Sequence, residues 1–162
     1  MVDLKEFEQK AADLRVLGMK ISIGQDTVYE KYWDEDCRRN IYSASKSFTS
    51  CAVGFAVQEG LIDLDERLMD AFKEDIPNNP DENLKKATVK DLLTMTLGQE
   101  KGFLMGKQRP RMEEQNWVKA SLAIPFVYEP GTHFVYNNVG PYLAGILVQR
   151  RAGCDLLSYL TP

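Results

Sequence analysis

The chain has 162 residues, 44% of them hydrophobic and 27% charged, enough for one ordinary soluble core. Its net charge of −4 gives no reason to expect a nucleic-acid partner, and no apolar run approaches membrane-spanning length, so no membrane partner is expected either. Cys37, Cys51 and Cys154 are odd in number and lack metal-like spacing; reduced thiols are expected rather than a disulfide framework, and neither a metal nor another cofactor is called for.

In chain order, the amino terminus Met-Val-Asp-Leu-Lys-Glu-Phe-Glu reads as a charged amphipathic helix rather than a signal peptide. That helix is expected over 4–17, and the chain as written is expected to stay in the cytoplasm. Two strands follow, at 19–24 and 27–32, joined as a hairpin at Gly24-Gln25-Asp26. From Ile41 onward the pattern is mainly helical. Helices are expected near 45–59, 65–72, 88–96, 113–122 and 139–151, separated by loops rich in Pro, Asn and Gly, notably 76–83. A further helical pattern begins shortly before 162. No repeat or low-complexity stretch is present.

Within Ile-Tyr-Ser-Ala-Ser-Lys-Ser-Phe-Thr (41–49), Ser43 precedes Lys46 by one helical turn. The apolar run from 48 to 59 ends at Gly60, so Ser43 should lie at or just before the first turn of a buried helix. Residues three apart share a helix face, which brings the lysine amine within reach of the serine oxygen, and the helix dipole favours an alkoxide there. Serine needs such help, because its unassisted hydroxyl is a poor nucleophile at neutral pH. The lysine must in turn be desolvated to serve as base, which a buried position beside Ala52, Val53 and Phe55 would achieve. Alone, the tetrad also fits an N-cap serine followed by a solvated lysine.

A second cluster, Tyr136-Asn137-Asn138, lies in Glu-Pro-Gly-Thr-His-Phe-Val-Tyr-Asn-Asn-Val-Gly (129–140). Pro130-Gly131 reads as a turn and 134–136 as a short extended stretch, with Asn138 near the start of an apolar helix. A phenol beside an ammonium can hold or pass a proton, and an asparagine can offer a donor and an acceptor to a substrate amide. The same residues would equally suit a tyrosine bonded to backbone and an asparagine that caps a helix. Other residues read structurally. Trp117, with Val118 and Leu122, should fill core, and Asp63 and Asp65 should serve a turn and a cap. Lys101, Lys107, Arg109 and Arg111 alternate with acids and should form a solvated loop. Cys51 should pack as a small hydrophobe behind Lys46.

Four phrases in order carry a resemblance: Ser-Ala-Ser-Lys (43–46), Glu-Gly-Leu-Ile-Asp-Leu-Asp-Glu (59–66), Thr-Val-Lys-Asp-Leu-Leu-Thr-Met-Thr (88–96) and Pro-Gly-Thr-x-Phe-x-Tyr-x-Asn (130–138). Together they resemble the serine β-lactamase and penicillin-binding protein superfamily. The Tyr-x-Asn form is similar to its branch of class C β-lactamases, D-alanyl-D-alanine carboxypeptidases and esterases. The resemblance implies an α+β, β-lactamase/transpeptidase-like fold for 1–162, with an amino-terminal helix and β-hairpin followed by a mostly helical region. It implies that Ser43 is the acylated nucleophile, Lys46 its proton acceptor, Tyr136 the relay to the leaving group and Asn138 a substrate contact. His133 falls at a variable family position and is expected to be exposed. The absence of a Gly-x-Ser-x-Gly elbow argues against an α/β-hydrolase site.

Family members carry a third motif, Lys/His-x-Gly, on a later strand that supplies one of two oxyanion amides, the other being that of the nucleophile. No such motif follows Tyr136 here, and losing one oxyanion donor typically costs about a hundred- to a thousand-fold in rate. The chain therefore reads as the amino-terminal part of one serine hydrolase domain, without the carboxy-terminal strands. Its hairpin should carry unpaired edges, which favours self-association or a complementary carboxy-terminal segment. Two functions stand from the sequence: an acyl-enzyme hydrolase acting on an amide, ester or β-lactam carbonyl of a small molecule or peptide, or a non-catalytic binding module with the same pocket.

Overall fold

The computed structural model describes residues 3–35 and 37–161. They form two compact units that meet between Ile41 and Tyr42 in the chain.

In the first unit, α1 (Lys5–Ala11) is tied by an i,i+4 pair between Glu6 and Lys10. It is shorter than the expected 4–17. The backbone leaves the helix through Arg15 in the left-handed region, with the Val16 amide donating to the Ala11 carbonyl, and Leu14 stays exposed. β1 (Gly18–Ile23) and β2 (Asp26–Tyr32) pair antiparallel, with Gly18 opposite Tyr32 and an irregularity at Ile21/Ser22. The hairpin falls where alternation placed it, and Gly24 supplies the positive φ that its turn requires. Glu8 ties α1 to β2, accepting from the Tyr29 hydroxyl at 2.8 Å and from Lys31 Nζ at 2.6 Å. Phe7 meets Trp33 edge-on.

The second unit is helical: α2 (Ser45–Gln58), α3 (Leu68–Ala71), α4 (Glu82–Lys86), α5 (Val89–Thr94), α6 (Trp117–Leu122), α7 (Val139–Ala152) and α8 (Leu156–Leu160). α7 is its centre, packed against α2 on one side and α5 on another. Ala52, Val53 and Ala56 from α2, Leu92 from α5, and Leu143 and Leu147 from α7 are fully buried together. α7 crosses α5 so closely that a Cβ on Gly140 would lie 2.2 Å from the Leu92 carbonyl oxygen, so only glycine fits.

Local chemistry sets boundaries that the apolar pattern blurred. Leu64 and Asp65 form a turn and Arg67 is extended, bridging Thr88 in an isolated antiparallel pair, so α3 starts three residues later than the pattern suggested. Asn116 caps α6, accepting from the Val118 and Lys119 amides, which moves its start from 113 to Trp117. Asp81 caps α4, a short helix at the end of the expected loop. Asp63 makes its expected turn, accepting from the Asp65 amide. Trp117 is partly buried against the core and tilts onto Tyr142.

Two expectations for α2 fail. The helix is buried on one side only, and Cys51 is exposed together with Phe48 and Phe55. Positions 48, 51 and 55 follow helical spacing on a face of their own, whereas 52, 53 and 56 form the buried one. An apolar run that continues around a helix does not reveal which side is covered.

Candidate active site

Ser43 lies in a 3-10 turn, Tyr42–Ala44, that runs directly into α2. The turn is entered through Tyr42 with φ of 47°, a left-handed conformation unusual for a tyrosine, and the Ser45 hydroxyl donates to the Tyr42 carbonyl. Ser43 does not cap the helix. Ala44 holds the cap position with no side-chain bond, and Ser43 Oγ instead accepts from Lys46 Nζ at 3.0 Å. The second group on the same oxygen comes from 93 residues away: Tyr136 Oη lies 2.7 Å from Ser43 Oγ. Lys46 Nζ also stands 5.2 Å from the Tyr136 ring centroid. Two hydroxyls and an amine thus form one contact.

The site is open. Ser43 is exposed, Tyr136 is 44% exposed, and Lys46 is half-buried rather than enclosed. Leu92, Leu93, Met95 and Pro141 border the small cavity that Lys46 shares, and Phe55, expected beside it, is exposed. Tyr136 is held below the usual phenol range. The hydrogen bond with Ser43 is the main cause and that with Lys46 the next, while partial burial opposes both. Because either hydroxyl can rotate to donate, the pair suits a phenol that donates to Ser43 as well as a phenolate that accepts from it.

The segment that carries Tyr136 is held from two directions. The Val135 amide donates to the Met95 carbonyl at 3.0 Å, at the end of α5. The Asn138 amide donates to the Phe103 carbonyl, and Asn138 Nδ2 to the Leu104 carbonyl at 2.9 Å. Gly102 approaches so closely that a Cβ there would sit 2.7 Å from the Tyr136 carbonyl oxygen. Asn138 therefore does not cap α7 with its side chain. Its neighbour Asn137, buried, does so by accepting from the Gly140 amide. Asn138 borders a cavity of about 280 Å³ with Lys46, Thr49 and Tyr142.

Ser43, Lys46 and Tyr136 are thus brought together, with Asn138 on an adjoining wall. His133 is exposed, stacked on Tyr128 at 4.2 Å between centroids with Nδ1 at 2.8 Å from the Thr132 hydroxyl. Lys101, Lys107, Arg109 and Arg111 are exposed, as expected, though Arg109–Arg111 form a short 3-10 turn rather than loop. Asn137 and Met95 were given no role of their own in the sequence reading. An Asx residue before an apolar run could have pointed to Asn137, whereas nothing local marks Met95.

A profile of the β-lactamase family matches residues 5–161, and the chain belongs to that family. The fold is β-lactamase/transpeptidase-like, and the family is one of serine enzymes that transfer or hydrolyse acyl groups. Monacolin J acid methylbutanoyltransferase of Aspergillus terreus is 31% identical over 147 residues, covering 78% of this chain and 35% of its own length. The acyltransferase mokF of Monascus pilosus is 30% identical over 146 residues with the same coverage. The chain thus spans about a third of the length of these curated relatives. Among solved structures, the octameric penicillin-binding protein homologue from Pyrococcus abyssi aligns with a TM-score of 0.71 at 24% identity, over 98% of this chain and 41% of its own. A putative β-lactamase from Bacteroides dorei aligns with a TM-score of 0.74 at 17% identity, over 99% of this chain and 50% of its own. No helix among the described residues is long and apolar enough to cross a membrane.

Proposed function

We propose that the protein is a serine hydrolase acting through an acyl-enzyme, with Ser43 as nucleophile and Lys46 and Tyr136 as the proton-transfer pair. The convergence of Lys46 Nζ and Tyr136 Oη on Ser43 Oγ, at 3.0 and 2.7 Å, carries this reading. Ser43 Oγ bonds to the carbonyl carbon of an amide, ester or β-lactam while its proton passes to the Lys46–Tyr136 pair. The Ser43 backbone amide is one donor for the resulting oxyanion. On collapse, the carbon–heteroatom bond breaks and the pair returns the proton to the leaving group. Water then attacks the acyl carbon and passes a proton to the pair, the carbon–Oγ bond breaks, and the pair returns the proton to Ser43 Oγ, which releases the acid and restores the serine. Asn138, with its amide N–H engaged by Leu104, has its Oδ1 to offer a substrate N–H.

A second reading concerns the acceptor. The relatives at 30–31% identity are named acyltransferases, which supports an acceptor other than water in the second half-reaction. The chemistry at Ser43 is the same in both.

A fluorophosphonate probe with intact-mass and peptide mapping tests the assignment. Ser43 should carry the adduct, and Ser43→Ala should abolish it. An adduct that persists in Ser43→Ala overturns the nucleophile, and a folded parent that takes no label favours the non-catalytic binding module. Acyl transfer is separated from hydrolysis by adding an alcohol acceptor to an ester assay and following the transesterified product.

A further inference from the structure

Asp91 stands outside the three-residue contact, yet both of its oxygens are used. Its Oδ2 accepts from the Thr88 amide at 2.9 Å, its half of the capping box that starts α5, and also from the Thr88 hydroxyl at 2.8 Å. Its Oδ1 accepts from the Thr96 hydroxyl at 3.2 Å, just beyond the other end of the same helix. The Asp91 carbonyl also receives the Met95 and Thr96 amides. One side chain, only 9% exposed, therefore ties both ends of a six-residue helix.

The turn that it closes is strained. Met95 adopts φ 56° and ψ 37°, a left-handed conformation that a long side chain avoids and that persists only where its surroundings impose it. The two carbonyls of that turn hold the loop leading to Tyr136. Thr96 O accepts from the Gly131 amide at 2.9 Å, and Met95 O accepts from the Val135 amide at 3.0 Å. The loop passes close over the carboxylate as well, since a Cβ on Gly131 would lie 3.7 Å from Asp91 Oδ1. Met95 also borders the small cavity beside Lys46.

We infer that Asp91 is a positioning residue for the site: its carboxylate locks the Met95–Thr96 turn, whose carbonyls hold residues 131–135 and so keep the Tyr136 hydroxyl within hydrogen-bond distance of Ser43. The catalytic consequence rests on the function proposed above; the placement of Tyr136 does not. An ångström of misplacement in such a contact can cost about a hundred-fold in rate. A carboxylate is suited to this task because each oxygen accepts at a different end of the helix. An amide offers only one acceptor oxygen, so Asp91→Asn keeps the volume but loses the charge and can hold both ends only if the Thr96 bond reverses, the amide N–H donating to the Thr96 hydroxyl.

The test uses the whole chain with 13C-labelled tyrosine, the Tyr136 signal being assigned through Tyr136→Phe. In the parent, Tyr136 should titrate below the ordinary phenol range. In Asp91→Asn it should move up toward that range, while circular dichroism and a cooperative urea transition report a retained fold. Fluorophosphonate labelling of Ser43, per folded molecule, should fall about ten- to a hundred-fold, with its pH profile displaced in the same upward direction. Alongside it, Thr96→Val removes the bond to Asp91 at the far end of α5, together with the Thr94–Thr96 hydroxyl contact, and should shift Tyr136 in the same direction by less. The inference is overturned if folded Thr96→Val, with or without a folded Asp91→Asn, keeps both the parent titration and the parent labelling rate. If the parent Tyr136 titrates in the ordinary range, the labelling rate of Thr96→Val decides in its place. A parent that takes no label defeats the proposed function while the titration still decides the role of Asp91.

Discussion

α2 and α7 are both 14 residues long and lie against each other, yet they serve the site in opposite ways. α7 is wrapped. Val139, Gly140, Leu143, Ala144, Leu147 and Val148 are among its buried residues, and it ends in a left-handed Gly153. α2 buries Ala52, Val53 and Ala56 and leaves Phe48 58% and Phe55 52% exposed. The pairing of Ser43 with Lys46 needs only the local geometry of one turn leading into α2. Tyr136 has no such local guarantee and is held by α5, by the carbonyls of Phe103 and Leu104, and by the start of α7. The nucleophile and its amine are thus a product of helical spacing, whereas the phenol is a product of packing.

The largest effect should come from the groups at the contact itself. Lys46→Ala should slow probe labelling of Ser43 by about a hundred- to ten-thousand-fold, the range for loss of a general base. Tyr136→Phe removes the other proton-carrying group from the same oxygen. If the local and the packed halves of the site work as one unit, the double variant should lose little more than the worse single change. Labelling rates of the four proteins decide, and fully additive losses would mean that the two halves act independently.

Stability should separate the helices next. Leu143→Ala, in the fully buried face of α7, should cost about 2–5 kcal/mol through lost burial and the cavity left behind. Phe55→Ala, on the exposed face of α2, should change stability by about 0.5 kcal/mol or less. Urea unfolding of the same chain measures both. Equal costs would show that the outer face of α2 is covered in solution, and the contrast drawn here would fall.

The same division explains what could be read from sequence. Ser43 and Lys46 were legible because an i,i+3 relation is local, and the hairpin because alternation and Gly24 are local too. Tyr136 drew notice for its chemistry, but its place at Ser43 came only through the resemblance, since nothing in its own neighbourhood says that it meets a residue 93 positions earlier. Helix limits failed wherever a single residue redirected the backbone, as Arg15 does after α1 and Asn116 does before α6. Cys51 was misplaced because composition reports that a helix is apolar without saying which side finds a neighbour. Asn138 was expected either to cap α7 or to face a substrate, while in the fold its amide holds Leu104 and Asn137 takes the cap. Asp91 lies in the 88–96 phrase, but its double duty appears only when both ends of α5 are seen at once.

The smallest effect belongs to the carboxy-terminal end of α2, where it meets α8. At its carboxy-terminal end, Glu59 accepts from the Tyr159 hydroxyl of α8 at 2.7 Å. That hydrogen bond, followed by partial burial and the charge of Glu59, pushes the Tyr159 phenol up to about 12. A folded-state value above the ordinary phenol value of about 10 means that the folded chain holds the proton more tightly than the unfolded one. The contact should therefore contribute fully below about pH 10 and be lost as pH rises through about 12. The difference in urea midpoint between the parent and Tyr159→Phe isolates it from other alkaline titrations. That difference should be constant from about pH 7 to 9 and shrink as the phenol ionises above its ordinary value. A difference that stays level through this alkaline range would show that Tyr159 docks α8 by ring packing alone, leaving the Glu59 end of α2 as free as the Phe55 face.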